Sequence, residues 1–267
     1  MYTLALIAGG GNFPILFSQI ARKKGEKILV IGVRGDTKNI LKRYADGICW
    51  VDATEFSRIF KILEDRKIKR VVMAGQVNPQ HLFNKRENFD PLAKELLDSL
   101  QDKKANTIFS TIVEKLNSKG IEVLDSTTYL SNFLPQKGVL TKRHPTFGEW
   151  EDIYLGEKTA RVIGILDIGQ TVCVKEKCIL AVEAFEGTDE TIKRAAGIGG
   201  EKIVVVKMAR PFQDMRFDIP VIGLRTITIL TKVKAACLAI EAEKTLFLDK
   251  ERAISLADKK GVCIVSI

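Results

Sequence analysis

LALIAGGGNFPILFSQIARKKGEKILVIGV, residues 4 to 33, decides the fold. An apolar run ends in three glycines, a segment follows in which Phe13, Leu16, Phe17 and Ile20 share one helical face, and a second apolar run closes the stretch. A continuous apolar run, a 3.6-residue repeat and another run make the pattern of a β-α-β unit. The alternation continues with GICWV (47–51), a helix through Phe56, Ile59, Phe60 and Leu63, RVVMAG (70–75), helical stretches at 91–101 and 105–118, and IEVL (121–124). Apolar strands separated by helices predict a Rossmann-like parallel sheet covered on both faces.

The pattern breaks at NFLPQKG (132–138), after a helix-like STTYLSNFL. The chain is therefore expected to hold two α/β domains, 1–134 and a mixed α/β domain at 139–267, joined by a linker at 135–138. In the second, Thr146 and Glu149 have the spacing of a capping box, opening a helix with Phe147, Trp150, Ile153, Ala160 and Ile163 inward. TVCVKEKCILAVEAF (171–185) reads as a hairpin turning at Lys175-Glu176-Lys177, its second strand ending at Glu183. Thr188 or Asp189 is expected to cap a helix over 189–196 that stops at Gly197. IVVV (203–206), a helix near 226–236, strands near 237–240 and 245–248, a helix at 249–260 and VCIVSI complete the domain.

With 267 residues, 46% hydrophobic, the chain buries a full core. Its first twenty-one residues are uncharged, yet GGGNFP interrupts them and no basic segment precedes them, so neither a signal peptide nor a membrane span is expected and the location is read as cytoplasmic. Five scattered cysteines without CxxC suggest buried free thiols. Two histidines, His81 and His144, are too few for His-rich zinc sites or most catalytic triads, so metal chemistry must rest on carboxylates. The net charge is +9, and residues 1–137 hold most of the excess, 22 Lys+Arg against 15 Asp+Glu. That suits phosphate-rich ligands or an anionic membrane surface. Nucleic acid is not expected, since aromatic residues are 7% and no recognition motif is present.

Gly9, Gly10, Gly11 and Asn12 lie between the first strand and the first helix, where backbone N–H groups receive an anion. A tight structural turn is the other reading. The dinucleotide spacing fails, because Pro14 replaces the third glycine and the second strand ends at Val33-Arg34 without an acidic residue, which argues against a nicotinamide enzyme. Gly75, in MAGQVNP (73–79), closes the fourth strand and is expected to line the same cleft with Gly9 to Gly11; a close strand-to-helix turn explains it equally well. Glu183, Glu186 and Asp189 surround one strand-to-helix turn, where carboxylates serve a site or act simply as dipole partners and caps. Lys207, Gln213, Asp214, Arg216 and Asp218 follow IVVV. Asp214 and Asp218 are spaced to share a magnesium ion, with Lys207 and Arg216 offsetting phosphate charge, or to form a salt-bridged loop.

IAGGGNFP, VVMAGQV, GVLTKRHPT, LDIGQTVCV, ILAVEAFEGTDE, VVVKMARPFQDMRFDIPVIGLRTI and EAEKTLFLD, in this order and spanning nearly all of the chain, resemble the LpxI-type UDP-2,3-diacylglucosamine pyrophosphatases of lipid A biosynthesis. The resemblance implies hydrolysis of UDP-2,3-diacylglucosamine to UMP and 2,3-diacylglucosamine 1-phosphate (lipid X), a divalent cation such as Mg2+, Mn2+ or Co2+, and two α/β domains with the lipid product between them. It also implies an essential aspartate in QDMRFDIP, either Asp214 or Asp218. On it the catalytic set is Asp214, Asp218 and Lys207, and the metal ligands are Asp214, Asp218, Glu183 and Asp189. The substrate-binding set is Gly9, Gly10, Gly11, Asn12, Gly75, Gln76, Lys142, Gln170, Glu186, Gly187, Thr188, Gln213, Arg216, Gly223 and Thr226. Val221 stands where threonine is common, so no ligand contact is assigned there. Peripheral contact with the inner membrane and a homodimer are further expectations. A non-catalytic nucleotide-sugar or glycolipid binding protein is the alternative.

Overall fold

The computed structural model describes residues 1–78, 88–102 and 104–267, so Pro79 of MAGQVNP and His81 lie outside the described residues. The chain makes two compact units, Met1–Leu130 with Asp214–Asp218, and Ser131–Gln213 with Ile219–Ile267. The chain thus leaves the second unit after Gln213, contributes Asp214–Asp218 to the first, and rejoins the second at Ile219.

Unit 1 runs β1 (Leu4–Ala8), α1 (Phe13–Lys23), β2 (Ile28–Val33), a 3-10 turn (Asn39–Tyr44), β3 (Gly47–Val51), α2 (Phe56–Asp65), β4 (Arg70–Ala74), α3 (Pro91–Asp98), α4 (Ala105–Ser118) and β5 (Glu122–Val123). The sheet is wholly parallel, ordered β3-β2-β1-β4-β5. Residues of β2 are buried throughout, as a strand covered on both faces requires. Leu29, Ile31, Leu63, Val71 and Leu116 form much of the core between sheet and helices. The order reverses between β1 and β4, so the glycine loops after these strands sit at the topological switch point.

The helix expected over STTYLSNFL does not form. Asp125 accepts hydrogen bonds from the N–H (2.6 Å) and hydroxyl (2.5 Å) of Thr127, and Tyr129 takes φ +73°, leaving a turn and a short 3-10 segment at Ser131–Phe133.

Unit 2 runs β6 (Gly138–Val139), α5 (Phe147–Ile165), β7 (Thr171–Lys175), β8 (Cys178–Val182), α6 (Thr188–Gly199), β9 (Val204–Lys207), β10 (Val221–Ile222), α7 (Leu224–Lys232), β11 (Cys237–Ile240), β12 (Leu246–Phe247), α8 (Lys250–Lys260) and β13 (Cys263–Ser266). Its mixed sheet is ordered β6-β13-β11-β9-β7-β8, with β9, β11 and β13 parallel and the flanking strands antiparallel. The β7–β8 turn places Glu176 and Lys177 at φ +50° and +62°, as a two-residue primed hairpin demands. Buried Asp152 of α5 accepts both of their N–H groups, at 3.0 and 2.6 Å.

The capping box at Thr146 and Glu149 forms, and Ile153, Ala160 and Ile163 are buried as expected. Phe147 and Trp150 correct the reading: they point outward, 81% and 41% exposed. The inward arc centres instead on Gly156, where a Cβ would stand 2.5 Å from Val206 Cγ2, so the glycine lets the helix lie close on the sheet. Neither Thr188 nor Asp189 caps α6; Gly187, at φ +81°, holds that position, and the helix passes Gly197 to end at Gly199. All five cysteines are free, but only Cys173, Cys237 and Cys263 are buried; Cys49 is half-buried and Cys178 exposed. No helix among the described residues is long and apolar enough to cross a membrane.

Candidate functional site

In unit 1 the glycine loops are knitted together. Gly9 N–H donates to Ala74 O (2.8 Å) and Gly10 N–H to Gln76 O (2.7 Å). A Cβ on Gly75, itself at φ +89°, would stand 2.4 Å from Gly10 O, so only glycine permits this approach. The N–H groups of Gly9 and Gly10 are therefore committed to backbone, and the open part of the loop is Gly11, whose would-be Cβ meets nothing within 4 Å. Lys38 Nζ donates to Asn12 Oδ1 at 2.7 Å, bringing a cation to the start of α1. Thr37, which sequence reasoning missed, accepts from Val33 N–H (2.9 Å) and donates to Ala8 O, joining the ends of β1 and β2.

The Asp214–Asp218 segment is also anchored in unit 1. Met215 O accepts from the N–H (2.9 Å) and hydroxyl (2.7 Å) of Ser126, and Phe217 stacks on Phe109 of α4 at 5.4 Å. The N–H groups of Phe217 and Asp218 both reach Asp214 O, so the segment closes as one turn. Arg216 grips the Asp214 carboxylate through Nε (2.9 Å to Oδ1) and Nη2 (2.6 Å to Oδ2). That fork, against the opposing effect of burial, holds the Asp214 carboxyl below the usual carboxylate range, and the carboxylate raises the Arg216 pKa in turn.

In unit 2, Lys207 ends β9 with only 4% of its surface exposed, and Glu183, at the end of β8, is 7% exposed. Lys207 Nζ donates to Thr188 Oγ1 (2.8 Å) and stands 3.5 Å from Thr171 Oγ1 and 3.9 Å from Glu183 Oε2. Thr188 donates in turn to Glu183 Oε1 at 2.8 Å. Burial pushes the Glu183 carboxyl up, but the Lys207 charge, the two threonine hydroxyls and the Gln170 N–H together hold it below its ordinary value. Glu183 Oε2 and the side-chain oxygen of Gln170 are buried without a hydrogen bond. Fully buried Thr171 is a member of this cluster that the sequence reading passed over.

Around it lie Glu186, whose carboxyl Arg194 holds below the usual range, and Asp189, 2.7 Å from Arg225. That last pair joins the start of α6 to the start of α7, where Gly223 is half-buried, Arg225 exposed and Thr226 buried. Gln213 accepts from Arg210 N–H at 2.8 Å, and Arg210 Nε is 3.2 Å from Asp167. Lys142 is not brought to this cluster: its N–H donates to Asp258 at the end of α8, at the amino edge of β13, whereas Lys207 lies at the carboxyl edge of the sheet.

The four carboxylates expected as metal ligands have protein partners: Asp214 in its arginine fork, Glu183 on Thr188 and Lys207, Asp189 on Arg225, and Asp218 in contacts of its own. Among the described residues no three His, Cys, Asp or Glu side chains are grouped to hold an ion. As placed, these residues do not make a preformed cation site.

A relative in Caulobacter vibrioides, the UDP-2,3-diacylglucosamine pyrophosphatase LpxI, is 30% identical, with 100% of this chain and 98% of that protein aligned. Two solved structures that the chain resembles are more distant. A biotin carboxylase of Campylobacter jejuni, 10% identical, is matched over 74% of this chain and 42% of its own with a TM-score of 0.29. A carboxyaminoimidazole ribonucleotide synthetase of Thermotoga maritima gives 14%, 68%, 41% and 0.25. Models of the LpxI N-terminal domain and the LpxI C-terminal domain match residues 3–133 and 136–265. Together these matches run the length of the chain, and the protein belongs to the LpxI family.

Proposed function

We propose that the protein hydrolyses the pyrophosphate bond of UDP-2,3-diacylglucosamine, giving UMP and 2,3-diacylglucosamine 1-phosphate in lipid A synthesis. The observation that carries this reading is the full-length relationship to a protein bearing that activity in its name. The chemistry of the candidate residues supports it. Hydrolysis forms one water-oxygen to phosphorus bond and breaks one bond from phosphorus to the bridging oxygen, and negative charge gathers on the phosphoryl oxygens. Lys207, held by Thr188 and paired to Glu183, supplies a fixed positive charge for them. In unit 1, Asp214, kept ionised by Arg216, is a carboxylate able to accept a hydrogen bond from water, and Asp218 is the second carboxylate of that turn.

The acyl groups require apolar walls. Unit 1 holds a cavity of about 150 Å³ at the carboxyl ends of its strands, lined by Ile7, Val33, Phe56, Met73 and Phe109 among others, which supports binding of an acyl segment there. We further propose that the reaction needs a divalent cation, magnesium first, with manganese or cobalt as substitutes; such an ion neutralises phosphoryl charge when bound. A cytoplasmic location belongs to the same reading and is supported by five unpaired cysteines.

The test is release of UMP from UDP-2,3-diacylglucosamine by the purified protein, with magnesium and with chelator. Turnover abolished by chelator and restored by magnesium is expected. Tight binding of the substrate without turnover, unchanged by chelator, would instead make it a glycolipid-binding protein.

A further inference from the structure

Helix α5 is apolar on two sides. Its inward arc packs on β7 and β9, while Phe147, Trp150, Tyr154, Val162 and Ile165 line the opposite side at helical spacing. Tyr154 is 60% exposed and Ile165 62%. Single exposed apolar residues need no explanation, but a stripe along a 19-residue helix, roughly 28 Å, marks a surface made to be covered. The stripe continues through exposed Leu166 and Ile168 into the turn that carries Gln170 and Thr171, beside Lys207.

The charges along the stripe favour one kind of cover. Its two acidic residues are neutralised, Glu151 by Lys177 at 2.7 Å and Glu157 by Arg161 at 2.9 Å. Lys158 lies over the Tyr154 ring at 4.3 Å, and Lys137 borders a groove of about 410 Å³ that Trp150 and Tyr154 also line. Amphipathic rings beside lysines, with acids already paired, match the level where a bilayer's acyl region meets anionic headgroups.

We propose that the outward face of α5 docks on an anionic phospholipid bilayer, with the helix lying along the interface. The proposal rests on the reading that the substrate is diacylated, and it gives that substrate a path from the bilayer along Ile165, Leu166 and Ile168 to the Lys207 end of the unit.

The test is co-sedimentation of the full chain with vesicles of phosphatidylglycerol and phosphatidylethanolamine, and with phosphatidylcholine vesicles. Wild-type protein binds the anionic vesicles, and Phe147→Ser/Tyr154→Ser/Ile165→Ser binds them about tenfold or more weakly with its circular dichroism unchanged. Lys137→Gln/Lys158→Gln, which removes no apolar surface, lowers binding to anionic vesicles only. Wild-type protein that stays in the supernatant, or serine variants that sediment like wild type, would overturn the proposal. So would loss of a dimer by sedimentation velocity with vesicle binding unaltered, which would assign the face to a second copy. UMP release from substrate in detergent micelles separates the two readings. Turnover in micelles without vesicle binding rejects docking alone, and α5-dependent vesicle binding without turnover rejects the pyrophosphatase reading alone.

Discussion

Lys207→Met is the most informative single substitution, because the buried pair it breaks is also the proposed phosphate-binding charge. Both partners are more than nine-tenths buried, and Glu183 Oε2 has no hydrogen bond in reserve. Removing the ammonium leaves an uncompensated carboxylate in the interior, an effect of about 3–5 kcal/mol. The 3.9 Å separation to Oε2 puts the expectation at the lower end, about 3 kcal/mol. Adding Glu183→Leu removes the stranded charge and is expected to restore about 2 kcal/mol or more. In a Trp50→Phe background the fluorescence of Trp150, in the same unit as Lys207, reports urea unfolding of that unit. UMP release is expected to fall about 100-fold or more in both the single and the double variant, since stability returns without the charge. An unchanged unfolding free energy in Lys207→Met, or wild-type turnover in the double variant, would refute the reasoning.

Gly75→Ala is expected to destabilise unit 1 by about 2–4 kcal/mol, measured by denaturant unfolding, because positive φ and a Cβ 2.4 Å from a backbone oxygen act together. The pH dependence follows from the lowered carboxyls of Glu183 and Asp214. Each folded value lies below the unfolded one, so the stability they contribute is present above the ordinary carboxylate range and is lost as pH falls through the folded values. Thermal melting should therefore fall on an acid limb below about pH 4.5. In Lys207→Met that limb should move to higher pH, because Glu183 loses its principal charge partner.

The strand-helix alternation of unit 1 was legible because β1, β2 and β4 are covered on both faces and so read as unbroken apolar runs. The outward turn of Phe147 and Trp150 was not. On a helix apolar on both sides, periodicity alone does not say which side meets the sheet, and Gly156 against Val206 decides it. Lys207 could be singled out as a polar residue ending an apolar strand. Its partnership with Glu183 and Thr171 joins strand ends twenty-four and thirty-six residues away, and such pairing leaves no local pattern. The same holds for Asp214–Asp218, which follows β9 in sequence yet belongs to unit 1, where Ser126 and Phe109 hold it. Glu183 illustrates the limit of residue type: a carboxylate near a helix start suits a metal, a cap or a buried pair, and its neighbours in space select the pair.

Pyrophosphate hydrolysis by this protein is tested by UMP release from UDP-2,3-diacylglucosamine, with wild-type protein, Asp214→Asn and Asp218→Asn assayed side by side in magnesium. UMP and 2,3-diacylglucosamine 1-phosphate are expected in equal amounts from the wild type, with loss of release in at least one aspartate variant that still melts cooperatively. No UMP from the wild type, under conditions where the Caulobacter relative turns over, or full rates from both variants, would contradict it.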